Sequence, residues 1–177
     1  MAFVVSGELG VKLDTVYDAP NTTTNPEVPG LPFALGQAVR ATQDQRYVFV
    51  KSSGVLAQYA AVCIDEDFTA RACTSTLALQ ANSFGAAQVA FATDQYGWVA
   101  VHGHGLQVLT KDAVGPNDAL YTSASVGVLT AVASTGDPIL VDGVRSVASA
   151  SSGGGATAII ATYPQFTVHN RPSNIIA

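Results

Sequence analysis

Short β-type runs recur roughly every 8 to 12 residues along this chain, divided by Gly, Pro, Asn, Asp and Ser, and no stretch carries an apolar stripe of helical period and length. That spacing predicts an all-β fold, a small barrel or sandwich of short antiparallel strands. The central hairpin is expected between Gly85 and His102, where two β-type runs flank the polar break Thr93-Asp94-Gln95 and where the single Trp stands. In its second arm, alternation puts Tyr96, Trp98, Ala100 and His102 on one face and Gly97, Val99, Val101 and Gly103 on the other. One face is bulky and brings most of the buried area; the other is slim and lets a neighbouring backbone come close.

Further hairpins are expected from Gln37 to Ser52 around Gln43-Asp44-Gln45, and from Tyr59 to Thr74 around the acidic tip Asp65-Glu66-Asp67. In the first of these, Tyr47 and Phe49 share one face and Val48 and Val50 the other. The stretch from Thr76 to Ala81 fits either a short helical turn or a strand stub. Strands follow at 104–110 with a bend at Gly105, then at 119–122, 127–131, 139–147 with an interruption at Gly143, and 156–163. Before all of these, Pro20, Pro26, Pro29 and Pro32 punctuate a segment without helical period. Residues 1–34 are therefore expected to form an extended N-terminal arm, or else an edge strand and loop lying on their own domain. Residues 35–164 form the expected β domain, and 165–177 a polar C-terminal tail.

With 177 residues, 48% of them hydrophobic and only 12% charged, the chain can bury a full core without staples. Much of its surface should then face something other than bulk water, and a partner surface is the simplest candidate. No run reaches the ~20 apolar residues of a membrane-spanning helix. The net charge of -5 and the scattered basic residues provide no stripe for nucleic acid. An N-terminus without a basic n-region predicts folding in a cytoplasm, where Cys63 and Cys73 would be free, buried thiols.

The residue types that carry chemistry give weak patterns. His102 and His104, two apart on one strand, would project both imidazoles to one face, yet zinc needs a third ligand and His169 is distant in sequence. Two polar residues where a strand leaves the core explain the pair as well. The tip Asp65-Glu66-Asp67 lacks the glycine-containing loop of an EF-hand and reads as a solvated turn. There is no Gly-x-Ser-x-Gly elbow, and Gly153-Gly154-Gly155 has no strand-to-helix setting for a phosphate. No catalytic residue, metal site or cofactor is assigned, and the chain is read as a binding or building protein.

The order of motifs resembles that of the head decoration, or cement, proteins of tailed bacteriophages. The resemblance is carried by Leu35-Gly36 before a strand, Tyr47 to Lys51, Gln88 to Phe91 with Gly97 to Gly103, Ala119 to Thr122 with Gly127 to Thr130, Val141 to Val144, and Ala158 to Pro164. It covers roughly residues 35–164. It implies a β-rich, commonly trimeric module on the outer surface of a capsid, contacting the major capsid protein and copies of itself, with no nucleic acid or membrane partner. On that reading Phe3, Val5, Leu9, Val11 and Leu13 of the arm and Tyr96, Trp98, His102 and His104 of the central strand are candidate subunit or capsid contacts. Histidines at such a contact would make it sensitive to pH near 6.5. The competing expectation is a phage tail or fibre module that binds a host glycan, with Tyr96 and Trp98 as an aromatic platform.

Overall fold

The computed structural model of the protein describes residues 11–19, 30–81, 83–131 and 139–147, apart from the side chains at 142 and 143, and the backbone of 156–161 and 167–169. Its first sheet contains β1 (Ala38–Arg40), β2 (Arg46–Ser52), β3 (Ala61–Ile64), β4 (Thr69–Ala72), β5 (Ser83–Ala86) and β6 (Tyr96–His102), with one helical turn, α1 (Ser75–Ala78), between β4 and β5. The order is β1-β2-β4-β3-β5-β6, and β6 pairs back onto β2, so five strands close into a barrel. The second sheet contains β7 (Leu106–Leu109), β8 (Ala119–Thr122), β9 (Leu129–Thr130), β10 (Leu140–Ser146), β11 (Ala156–Ala161) and β12 (Thr167–His169). It runs β7-β11-β10-β8-β9, with β12 also on β10, and a parallel bridge from Thr110 to Leu129 returns β9 to the end of β7. The all-β expectation holds, in the form of a barrel.

Turn chemistry sets two hairpins of the first sheet. Between β1 and β2, Gln43 and Asp44 both take positive φ, 62° and 56°, as a two-residue turn matched to strand twist requires. Between β3 and β4, Phe68 holds φ 61° at a position that suits glycine, and its ring lies over Gly36. Past β4, the backbone N–H of Leu77 donates to the Thr74 hydroxyl at 3.2 Å, which caps α1. The stretch that fitted helix or strand equally is therefore a single capped helical turn.

Alternation along each strand then sorts the side chains into layers. Val50, Val62, Ile64, Ala70 and Val99 point into the barrel and meet Leu56, Ala87 and Phe91. A five-stranded barrel is narrow, and two glycines make the room: a Cβ at Gly85 would lie 2.6 Å from Val99, and one at Gly97 would lie 2.7 Å from the Phe91 ring. On one outer flank Ala61, Cys63, Phe84 and Ala86 pack against Val108, Leu120, Leu129, Val141 and Val144 of the second sheet. On the other flank Val39, Tyr47, Phe49, Trp98 and Ala100 form a second apolar face.

Four sequence expectations need correction. The long ladder of β6 is with β2, from Arg46 opposite His102 to Lys51 opposite Tyr96, whereas β5 meets β6 only at Ala86 and Ala100. The expected first arm is displaced because Phe91 bridges Leu56 and plugs the barrel instead of extending β5. The strand expected from His104 begins at Leu106, since Gly103 and Gly105 take φ 128° and 70° and turn the chain. The expected tail contributes β12, whose Thr167, Val168 and His169 pair with Asp142, Val141 and Leu140.

Candidate functional site

The aromatic face of β6 was the leading site by sequence, and its geometry follows from what covers it. Trp98 and Phe49 are cross-strand partners, their ring centroids 5.1 Å apart and edge to face. Phe33 lies over both, 4.9 Å from Trp98 and 5.4 Å from Phe49, and Tyr17 meets Phe49 at 6.0 Å. Each such pair contributes about 0.5–1.5 kcal/mol beyond its area term. Tyr17 and Tyr96 exchange backbone hydrogen bonds of 2.8 Å in both directions. Val11, Leu13 and Leu31 complete the cover.

Trp98 is 0% exposed as a result. Residues 11–19 and 30–34 thus lie on the barrel of their own chain, as the alternative to a free arm envisaged. The physical reason is the face itself, which holds Tyr47, Phe49, Trp98 and Leu106 and is too apolar to leave in water. Phe33 packs on the Trp98 ring, so Trp98 presents no open aromatic face in this arrangement. Phe33 had only its place directly after Pro32 to mark it, and no periodic pattern pointed to it. Phe3, Val5 and Leu9 lie outside the described residues.

His102 and His104 end up in different settings. His102 closes β6, with its Nε2 3.1 Å from the Asp44 carboxylate on the β1–β2 turn. His104 is exposed beyond the strand, and its backbone does the bonding: its N–H donates to the Gln43 carbonyl at 3.1 Å and its carbonyl accepts from Gln45 Nε2 at 2.6 Å. Gln45 is buried and also accepts the Tyr47 hydroxyl at 2.9 Å. Burial pushes the Tyr47 phenol up to about 12. The two turns at this end of the barrel are therefore joined by a polar network centred on Gln45, a residue the sequence offered only as part of a turn. The zinc-like spacing does not survive, since the turn at Gly103 separates the two histidines. Among the described residues no three His, Cys, Asp or Glu side chains group as metal ligands.

The remaining charged groups are tied locally. Asp65 receives Arg71 Nη2 on both carboxylate oxygens at 2.9 Å. Asp67 accepts from the Thr69 N–H and hydroxyl, each at 2.9 Å, and these bonds hold its carboxyl below the usual range. Lys51 meets Asp94 at 2.8 Å on the surface, and that contact raises its amine. Cys63 and Cys73 are free thiols in the layer between the barrel and the second sheet, where their mutual hydrogen bond and burial push the Cys73 thiol up. Such thiols are poor nucleophiles.

Among the described residues the large hydrophobic side chains that remain exposed are Leu35, Val55, Phe68 and Leu79, with Val126 and Val147 on the second sheet. No known protein-family model matches the chain, and no curated protein is significantly similar to it.

Proposed function

We propose that this protein is a structural virion component that decorates the outside of a tailed-bacteriophage head and cements neighbouring major capsid subunits. The order of its motifs carries the reading. Of its segments, Tyr47 to Lys51 lies in β2, Gly97 to His102 in β6, Ala119 to Thr122 in β8, Val141 to Val144 in β10 and Ala158 to Ala161 in β11, whereas Leu35-Gly36 and Gln88 to Phe91 lie between strands. Two further observations support it. A closed, filled barrel is a rigid body suited to bracing a seam, and the low charged share of 12% suits a subunit covered on several sides.

Such a role asks for contact area. Each interface of standard size would bury about 1,600 Å² in total. Subunits joined as a homotrimer would hold the shell at several points at once, and linked contacts of this kind can raise avidity ~10²-fold or more. The test is reconstitution: purified protein is added to mature heads assembled without it, and bound copies and thermal resistance of the heads are measured. Saturable binding with a higher disruption temperature is expected. Heads that take up no protein, or take it up and gain no stability, would overturn the proposal.

A further inference from the structure

Residues 72–93 and 119–136, like 146–168, contain no Asp, Glu, Lys, Arg or His. The fold brings parts of the first two to one flank. The Ser75 N–H donates to the Ser123 carbonyl at 3.1 Å and the Gly127 N–H to the Cys73 carbonyl at 2.8 Å, so α1 and the β8–β9 turn lie side by side. From this flank Val126 and Leu79 project with 66% and 57% exposure, among Thr76, Gln80 and Ala124, which are also exposed. Charge returns at its border, with Lys111 and Asp112 beside β9 through the bonds from Lys111 N–H to the Leu129 carbonyl and from the Thr130 hydroxyl to Asp112.

The turn that carries Val126 is held firmly. The single proton of the Ser123 hydroxyl has the carbonyls of Ser125 and Val128 within reach at 3.1 and 2.8 Å, and its oxygen accepts the Ser125 N–H at 3.1 Å. The Ala61 N–H donates to the Gly127 carbonyl at 2.9 Å, and a Cβ on Gly127 would already touch Ala60 at 3.0 Å. An apolar side chain on a fixed tip loses little freedom when it is covered, which favours association. The neutral, small-residue flank with a charged border has the layout of an interface core and rim.

We infer that this flank, α1 with the β8–β9 turn, is where a second copy of the chain docks. Charge selects that occupant. Each copy carries a net charge of -5, so a contact made through a charge-free surface keeps like charges from being set against one another, and this flank joins two of the uncharged stretches. A basic partner would be drawn instead to the acidic turn at Asp65-Glu66-Asp67, at the opposite end of β4. The inference rests on the reading that the protein assembles with itself, and it adds the surface used.

Light scattering after size-exclusion chromatography, on the full chain over the micromolar range, tests it. Wild type is expected at a whole-number multiple of the chain mass, and Val126→Asp and Leu79→Asp at the single-chain mass, because a symmetric contact sets the new carboxylates facing their copies. Leu35→Asp, which adds the same charge beside Phe68 at the other end of the barrel, is expected to keep the wild-type mass. Circular dichroism establishes that each variant is folded, and Val126→Ser serves as a milder variant, with a dissociation constant raised at least tenfold, should an aspartate prevent folding. Variants that keep the wild-type mass would overturn this surface and leave self-assembly standing; a wild type that stays single throughout would overturn both. Binding to heads is measured separately, so failure of the capsid reading is told apart from either.

Discussion

Tyr47 shows how a single buried group ties stability to pH. Its phenol donates to Gln45 within the packed end of the barrel, and burial lifts its ionisation from 10.0 to about 12. The folded state therefore favours the neutral form. Its contribution is complete below pH 10 and is lost as pH rises through the folded value, at a scale of about 3 kcal/mol. The melting temperature is expected to drop steeply between pH 10 and 12, and Tyr47→Phe to flatten that drop while costing about 1 kcal/mol at neutral pH for the lost hydrogen bond. Lys51 titrates in the same direction from the surface, so the difference between the two proteins isolates the phenol. Parallel alkaline melting curves would assign the loss to other groups.

The N-terminal cover behaves as part of the barrel's wall. Leu13, Tyr17, Leu31 and Phe33 sit on the face formed by Phe49 and Trp98, and the bridge from Tyr17 to Tyr96 extends β6 with one more partner. Removing residues 1–34 is expected to lower stability by several kcal/mol, the scale of uncovering large buried side chains. It should also shift Trp98 fluorescence to the red and open it to iodide; unchanged quenching would show that the cover adds nothing to the face. This is where the sequence was hardest to read. Alternation alone groups Tyr47 with Phe49 on one face of their strand, and Tyr96 with Trp98 opposite the slim face of Gly97, as found. Local patterns could not say that β2, far back in the chain, is the long partner of β6, or that Phe91 would turn inward, because both depend on how the sheet closes. The histidine pair misled for a similar reason: period 2 holds only while the strand continues, and Gly103 ends it.

At the scale of the whole molecule, the two sheets share one apolar layer, with Phe84, Ala61 and Cys63 on one side and Leu120, Leu129 and Val141 on the other. A barrel flank of this kind has no other cover among the described residues, so loss of the second sheet exposes it. Leu120→Ala, at a fully buried position far from Trp98 in sequence, is expected to cost about 2–5 kcal/mol. Because the layer is common, Trp98 fluorescence and far-ultraviolet dichroism should move together to a lower denaturant midpoint in this variant. A Trp98 transition left at its wild-type midpoint would mean that the barrel stands alone.

The seam between β2 and β6 also orders events in time. Its register joins Arg46 to His102, and the cover over it joins Tyr17 to Tyr96, so neither can form until the chain has been made past β6. Pairing across such a separation is slow, because the entropy of closing the loop is spent before the contacts return it. During synthesis Leu13 and Tyr17 emerge early and wait for β6 before they find their places. The ribosome must deliver His102 before the oldest apolar residues of the barrel can leave water.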